Sequence, residues 1–282
     1  MIGKVRHHAH QRHPSLHLTP TSGPRVLERL RLQWHLGFRT PKHTPNERGF
    51  ESYFGYYAGS QDYWNHESLC WAGKVENGCF ENETADGEAV TGLDLHNGSK
   101  VVNSSEYSTT LYTTEAHRII AAHAAEHGVG GVGADGRVAM TKPLFLYLPH
   151  QAVHVGNIAE ASHPEYAKDQ APAEYIAKFA HVEDEQRRNL SAMVNCMDEA
   201  AGNVTDSLQA HGLWQDTILI VSTDNGGPTG ERASNYPLHG GKGSLWQGGV
   251  RGIGFVAGGD LASFGFGGFP RISHSLIHSE SQ

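Results

Sequence analysis

The spacing of apolar residues predicts two long helices in this chain. The first spans residues 107–127. The second spans about residues 182–211 and ends beside Gly212, a residue suited to a helix terminus. In the second helix the apolar positions recur in steps of three and four, which places them on one face. These positions are Leu190, Met193, Val194, Met197, Ala201, Val204 and Leu208.

Three short apolar runs of strand length accompany the helices. Residues 144–148 precede the second helix, and residues 217–222 and 251–257 follow it. The first two runs are continuous, which is typical of strands buried on both faces. The order strand, helix, strand, loop, strand predicts an α/β fold with a mainly parallel central sheet flanked by helices. A further short strand is expected at residues 90–95.

The first residues of the chain show no such pattern. Residues 1–31 are expected to be irregular, with one or two helical turns at residues 25–32. They contain basic residues but lack the apolar core of about 7 to 15 residues that a signal peptide needs. The histidine-rich stretch at residues 7–13 is compatible with metal binding, although a disordered or misassigned leader is the favoured interpretation.

Composition narrows the function classes. The formal net charge of −8 argues against a general nucleic-acid binder, which usually carries a basic excess. No apolar run approaches the roughly 18 to 20 residues of a membrane helix, so no membrane span is expected. Five Asn-x-Ser/Thr sequons favour a secretory or lysosomal route. They begin at Asn82, Asn97, Asn103, Asn189 and Asn203.

The three cysteines allow different roles. Cys70 and Cys79 lie in a loop rich in glycine and asparagine, where they either close a small disulfide or remain free thiols. Cys196 lies on the apolar face of the second helix, so we expect it to be a buried core residue.

The sequence Thr-Asp-Asn-Gly-Gly at residues 223–227 directly follows a predicted strand. Ligands of open α/β sheets gather at the carboxyl ends of strands. Asp224 and Asn225 offer a carboxylate and an amide oxygen, which are hard ligands suited to Ca²⁺ or Mg²⁺. The alternative for the same residues is an Asx-turn at a strand end.

Cationic and imidazole side chains supply the other candidates. Lys242 lies in a glycine-rich segment whose spacing does not match a nucleotide-binding P-loop, and it either binds an anionic oxygen or is solvated. His35 lies in Trp-His-Leu-Gly, and His150 and His154 follow the run at residues 144–148. A histidine at a strand end can act as acid, base or anion ligand, but it is more often a structural or surface residue.

Several of these segments, taken in order, resemble the type I sulfatases of the alkaline phosphatase-like superfamily. The resemblance covers most of the chain, from Trp34 to His278. Its segments are residues 34–38, 48–56, 197–200, 202–205, 222–227 and 244–251.

The resemblance implies a mechanism in which a formylglycine, made from a cysteine, is hydrated and attacks the sulfur atom of a sulfate ester. Asp224 and Asn225 match the second pair of calcium ligands of the family. Lys242 matches a lysine that holds the sulfate and assists the leaving oxygen. His154 matches a histidine at the sulfate better than His150 does, and His35 matches the histidine that supports the formylglycine hydroxyls.

The chain also departs from the family pattern. The Gly-Lys that precedes the family's tryptophan is Leu32-Gln33 here, so a neutral side chain replaces a sulfate-binding cation. Gly156 stands where the family often has proline. The two upstream aspartates of the calcium shell and the Cys-x-Pro-x-Arg element are absent from this sequence. The cysteines that lack that context are Cys70, Cys79 and Cys196.

The leading interpretation is a sulfuric ester hydrolase that acts on sulfated sugars or glycosaminoglycan ends and is lysosomal or secreted when complete. Residues 1–33 would then be an unrelated leader, residues 34–278 a partial sulfatase catalytic domain and residues 279–282 a divergent tail. Without its nucleophile we expect this polypeptide to release no sulfate. The alternatives are a non-catalytic sulfatase-like pseudoenzyme or sulfate-binding protein, and a phosphodiesterase of the superfamily, which the local motifs favour less.

Overall fold

The computed structural model describes residues 27–71, 89–129, 131, 133–134, 136, 138–156 and 169–261. These residues belong to two compact units. The N-terminal unit is Val26–Leu213, and the described part of the C-terminal unit is residues 214–261. The histidine-rich stretch, Cys79, Asn82 and residues 279–282 lie outside the described residues.

The N-terminal unit is built on a five-stranded sheet in the order β6-β5-β2-β1-β9. Strands β2, β1 and β9 run parallel, whereas β5 and β6 are antiparallel additions at one side. Two separate hairpins pair β3 with β4 and β7 with β8. The strands are β1 (Leu27–Gln33), β2 (Ser52–Tyr56), β3 (Glu67–Trp71), β4 (Ala89–Leu93), β5 (His96–Asn97), β6 (Lys100–Val101), β7 (Gly128–Val129), β8 (Ala139–Met140) and β9 (Leu144–Tyr147).

Three α-helices complete the N-terminal unit: α1 (Ser108–His127), α2 (Ala173–Lys178) and α3 (Glu185–Ala210). Both long helices are confirmed within a few residues of their predicted bounds. Helix α3 begins at Asp184, whose carboxylate accepts a hydrogen bond of 2.8 Å from the backbone N–H of Arg187, as a helix N-cap should. None of the helices in the described residues combines the length and apolarity that a bilayer crossing requires.

The core of the N-terminal unit is rich in tyrosine. One cluster lies where β2 meets α1, and a second includes the buried face of α3. Cys196 belongs to the second cluster and is buried, which confirms its predicted core position. Burial raises the pKa of the Cys196 thiol to about 11, so the thiol is protonated at neutral pH. The buried members are Phe54, Tyr56, Leu95, Leu111 and Tyr112 in the first cluster, and Tyr63, Tyr107, Ala152, Met193 and Cys196 in the second.

The prediction of helical turns at residues 25–32 is wrong for the described part. Leu27–Gln33 is the strand between β2 and β9, with Leu30 paired to both Tyr53 and Tyr147. The local sequence suits a helix, but pairing on both sides satisfies the strand's backbone groups, and tertiary context overrides propensity. Residues 1–26 lie outside the described residues, and the division of the chain at residues 33 and 278 stays a prediction.

The C-terminal unit contains β10 (Leu219–Ser222), the short helix α4 (Gln247–Val250) and β11 (Gly254–Ala257). Both strands fall inside predicted segments, and they pair antiparallel. Burial on both faces, predicted for the runs that contain β9 and β10, is wrong. Phe145 of β9 is 50% exposed and Ile220 of β10 is 68% exposed. The reason is that β9 is an edge strand and β10 has β11 as its partner among the described residues.

Candidate active site

His35 follows the carboxyl end of β1 in a strained backbone conformation. Its φ of 42° lies in the left-handed region, which a non-glycine residue rarely adopts. Its backbone N–H donates to the carbonyl of Tyr57, 3.1 Å away. Its imidazole lies against Gly59, where an added Cβ would come within 2.7 Å of His35 Cε1. The position of the ring therefore depends on the backbone after β2.

Gln33 contacts the same piece of backbone. Its Nε2 donates to the carbonyl of Gly59. Gln33 thus bonds to the residue against which the His35 ring packs.

Asp94 fixes that backbone from the interior. Its two carboxylate oxygens accept hydrogen bonds from the backbone N–H groups of Tyr57, at 3.0 Å, and Ala58, at 2.9 Å. The hydroxyl of Ser68 donates to the same carboxylate at 2.9 Å, and His96 Nε2 lies 3.0 Å from Oδ1. Because Asp94 is only 9% exposed, these partners replace the water that a carboxylate normally requires.

His150 and His154 follow β9. Desolvation by burial lowers the pKa of His150 to about 4, so its ring is neutral at physiological pH. The residue as a whole is half-buried, but Nδ1 is out of contact with solvent and has no hydrogen-bond partner among the described residues. The structure therefore places His150 as a half-buried, neutral side chain whose Nδ1 is cut off from solvent.

His154 is held mainly through its backbone. Its N–H donates to the carbonyl of Gln151 at 2.8 Å, and its carbonyl accepts from the hydroxyl of Tyr63 at 2.8 Å. Its ring Nδ1 lies 3.0 Å from the carbonyl of Val155. Since β1 and β9 are parallel neighbours, His35 and His154 both follow strands that end at the same edge of the sheet.

Asp224 and Asn225 lie in the C-terminal unit, in the loop after β10. Asp224 is exposed, and its Oδ1 accepts a hydrogen bond of 2.9 Å from the N–H of Asn225. The side-chain amide of Asn225 donates through Nδ2 to the carbonyl of Gly226 at 2.9 Å, and this bond does not use the amide oxygen. The bond at Asp224 joins its carboxylate to the N–H of the next residue, whereas an Asx-turn bonds the N–H two residues on, and here the N–H of Gly226 donates to Gly249 instead. The Asp224 carboxylate can make this bond and bind a cation as well.

Lys242 lies in a second loop of the same unit, which is joined to the Asp224 loop. Its backbone N–H donates to the carbonyl of Gly227 at 3.2 Å, and its side chain is exposed. Asn235 adds a clamp between the loops. Its Oδ1 accepts from the N–H of Gly227 at 2.9 Å, and its Nδ2 donates to the carbonyls of Gly227, at 2.8 Å, and Gly240, at 3.2 Å.

Close backbone contacts hold a third segment against the Asp224 loop. The N–H of Gly226 donates to the carbonyl of Gly249 at 3.0 Å. A Cβ added at Gly226 would lie 1.6 Å from the carbonyl oxygen of Gly248, which no side chain can tolerate. Glycine is therefore required at Gly226 for the backbones to approach.

Asp224 and Asn225 fit a calcium ion by donor chemistry, since both present hard oxygen atoms. They do not fill a shell, because Ca²⁺ takes six to eight oxygen ligands. Among the described residues there is no group of three or more His, Cys, Asp or Glu side chains placed to hold a metal. The side chains of Asp224 and Asn225 would therefore supply only part of a calcium shell.

The structure joins the loops of some predicted residues. The loops of Asp224, Asn225 and Lys242 are joined within the C-terminal unit. In the N-terminal unit, His35 follows β1 and His154 lies in the segment after β9, and these two parallel strands end at the same edge of the sheet.

Sequence reasoning missed the two residues that position these loops, Asp94 and Asn235. Asp94 bonds backbone N–H groups that are 37 and 36 residues away, and Asn235 bonds groups that are 8 and 5 residues away, so neither belongs to a recognisable local motif. The glycine-rich context of residues 226–249 was the available signal, since it indicates close backbone approach.

Comparisons with known proteins give a consistent result. The model of the sulfatase family matches residues 6–263. Arylsulfatase J from Mus musculus is 36% identical over 224 residues, which is 79% of this chain and 31% of that protein. Steryl-sulfatase from Rattus norvegicus is 31% identical over 122 residues, 40% of this chain and 18% of that protein. The chain spans less than a third of the length of these relatives.

Solved structures agree on the fold. The crystal structure of Ps i-CgsB in complex with k-i-k-neocarrahexaose has a TM-score of 0.61 and 25% identity, covering 82% of this chain and 44% of that one. The PsFucS1 sulfatase from Pseudoalteromonas sp. has a TM-score of 0.50 at 17% identity, covering 83% and 44% of the two chains, and supports the fold alone. The α/β architecture is that of the alkaline phosphatase-like sulfatases, and this chain belongs to the sulfatase family.

Proposed function

We propose that the complete protein is a calcium-supported sulfuric ester hydrolase with an arylsulfatase B-like substrate range. The observation that carries this proposal is the joining of two loops in one unit. One loop presents the oxygen ligands of Asp224 and Asn225, and the other presents the cation of Lys242. Oxygen ligands and a cation on two joined loops suit an anion that is bound by a metal and a lysine together.

The residues take different parts in this proposal. Asp224 and Asn225 would hold Ca²⁺, which when bound draws charge from the sulfate oxygens. Lys242 would hold a sulfate oxygen and stabilise the leaving oxygen. His154 would donate to the sulfate, and His35 would orient the hydroxyls of the nucleophile. The formylglycine of the family needs a cysteine in Cys-x-Pro-x-Arg, and this sequence offers none.

A carbohydrate substrate is supported by the neighbour that binds neocarrahexaose. We therefore propose sulfated sugars or glycosaminoglycan ends as the substrate class. The sequons support a lysosomal or secreted protein, and a Cys70–Cys79 disulfide belongs to the same proposal. For the polypeptide as sequenced we expect binding of sulfate without turnover, which is also what a sulfatase-like pseudoenzyme would do.

Two measurements test this proposal on the whole chain, expressed behind a secretion signal. Titration calorimetry with inorganic sulfate in Ca²⁺ should show binding that weakens about tenfold in K242A, because one ion contact is lost. K100A is the matched control, since Lys100 is an exposed lysine of β6. Equal sulfate affinity in K242A and wild type would contradict the assigned role of Lys242.

Release of sulfate from an aryl sulfate is the second measurement. We expect none above the uncatalysed rate. Clear turnover that depends on Ca²⁺ would refute the expected inactivity and would exclude the pseudoenzyme.

A further inference from the structure

A shallow groove of about 400 Å³ lies on the N-terminal unit, and neither His35 nor His154 is among the residues that line it. Trp64 contributes an aromatic wall, and its side chain is 37% exposed. The indole ring of Trp64 packs against the ring of Tyr107, and the two ring centroids are 5.1 Å apart. The backbone N–H of Trp64 donates to Asp62 at 2.8 Å. The groove is lined by Trp64, Asn65, Glu67, Leu93, Asn103, Ser104 and Ser105.

One part of the groove lining is a complete sequon. Asn103, Ser104 and Ser105 form Asn-x-Ser in the irregular loop between β6 and α1, and Asn103 is exposed. The sequon at Asn189 differs in both respects. Asn189 lies within α3 and is only 7% exposed, so a sugar on its amide would not fit the folded helix.

We propose that Asn103 carries an N-linked glycan and that the first sugar of the glycan lies in this groove against Trp64. In the transfer step, the amide Nδ2 of Asn103 forms a bond to C1 of the first sugar of a lipid-diphosphate oligosaccharide. The bond from C1 to the phosphate oxygen breaks, the lipid diphosphate leaves, and the amide loses one proton.

The groove has the chemistry that a sugar requires. The apolar face of a pyranose packs on an indole ring, while its hydroxyls need polar partners around the rim. Glu67 and Asn65 provide such partners, and a hydrogen bond of 3.2 Å from Asn65 Nδ2 to Glu67 Oε2 orders them. Asn103 is part of the groove wall, so the first sugar of an attached glycan is already next to the groove. Little conformational entropy is therefore lost when this sugar binds there.

The proposal rests on the secretory route within the proposed function, and occupancy is measured without reference to sulfate release. The whole chain, secreted from a eukaryotic cell line, is treated with an amide-cleaving glycosidase in ¹⁸O water and analysed by mass spectrometry. Asn103 should be labelled and Asn189 should not. The variant S105A keeps Asn103 but removes the sequon, and S99A removes the sequon of Asn97 as a matched control.

Contact with Trp64 is measured by hydroxyl-radical labelling. The glycosylated protein should show about threefold less oxidation of Trp64 than S105A, because stacking covers the exposed ring face. Trp34 serves as the internal reference and should not change, and S99A should protect Trp64 as wild type does. An unmodified Asn103 in secreted protein overturns the proposal. Equal oxidation of Trp64 in wild type and S105A also overturns the proposal. If added glucose 6-sulfate then lowers the oxidation of Trp64, the groove binds a free sugar instead.

Discussion

The two units hold their candidate residues by different means. In the N-terminal unit, His35 rests on backbone that a buried carboxylate and a tyrosine-rich core fix in place. Among the described residues of the C-terminal unit, the buried positions are glycines: Gly226, Gly241, Gly248 and Gly249. There, backbone contacts and one asparagine clamp replace side-chain burial.

The difference also shows in exposed apolar side chains. Ile220 and Ile253 of the C-terminal unit are 68% and 74% exposed, whereas Tyr53 and Tyr56 of the N-terminal unit are fully buried. Hydrophobic burial stabilises the first unit over many side chains. In the second, single backbone contacts carry more of the local order, so we expect mutations to act by different physical routes in the two units.

Removal of the Asp94 carboxylate should have the largest effect. D94A leaves the buried N–H groups of Tyr57 and Ala58 without acceptors, and we expect a loss of about 3 to 5 kcal/mol in the free energy of unfolding. Urea unfolding followed by circular dichroism measures it. D198A removes an exposed carboxylate of α3 and should change stability little. Near-equal stability of D94A and D198A would contradict the role of Asp94.

A methyl group at Gly226 should disrupt the C-terminal unit locally. G226A forces the chain away from the Gly248 carbonyl, at a cost of about 3 kcal/mol in overpacking. G230A is the matched control, since an added Cβ there meets nothing within 4 Å. Hydrogen exchange should quicken at residues 223–227 and 246–250 in G226A, and not in G230A. Unchanged exchange in G226A would show that the loops do not need their close approach.

Acidification should weaken the N-terminal unit through His150. Its folded pKa of about 4 lies below the ordinary 6.5, so the unfolded chain binds more protons between those values. The associated stability is present above pH 6.5, and about 2 kcal/mol of it is lost at pH 5.

Thermal unfolding between pH 7.5 and pH 5 tests this expectation. H150F should show a flatter pH dependence than wild type, whereas H181Q, which changes an exposed histidine, should follow wild type. If the melting temperature of H150F depends on pH as steeply as that of wild type, His150 is not the group that weakens the fold in acid.

Loss of the clamp at Asn235 should have the smallest effect on stability. N235A removes three hydrogen bonds that water partly replaces, so we expect about 1 kcal/mol. Faster hydrogen exchange at Gly227 and Lys242 is the measurement. N235D keeps the acceptor but loses both donated bonds, and its exchange should fall between wild type and N235A. If N235A leaves exchange at both amides unaltered, Asn235 does not join the loops.

The local sequence pattern was enough to predict the helices, whose backbone hydrogen bonds are all made within the same segment. The steps of three and four between Leu190 and Leu208 reflect helix geometry, which needs no distant partner. Strand Leu27–Gln33 was missed because its state depends on pairing with β2 and β9. Asp224 and Lys242 are predicted from motifs and remain predictions, whereas Asp94 and Asn235 act through contacts that only the folded chain creates.

The parallel pairing of β1 has a consequence for the folding process. Leu27 pairs with Leu144, so more than a hundred residues must emerge from a ribosome before the pairing can form. Helix α1 and the β3–β4 hairpin need only nearby residues and can form earlier. We therefore expect β1 to pair with β9 late, although it can pair with β2 much earlier, because a large loop must close before the β9 contact is gained. Until then the backbone groups of β1 that face β9 stay unpaired, and a chaperone that recognises extended segments would have most time to bind there.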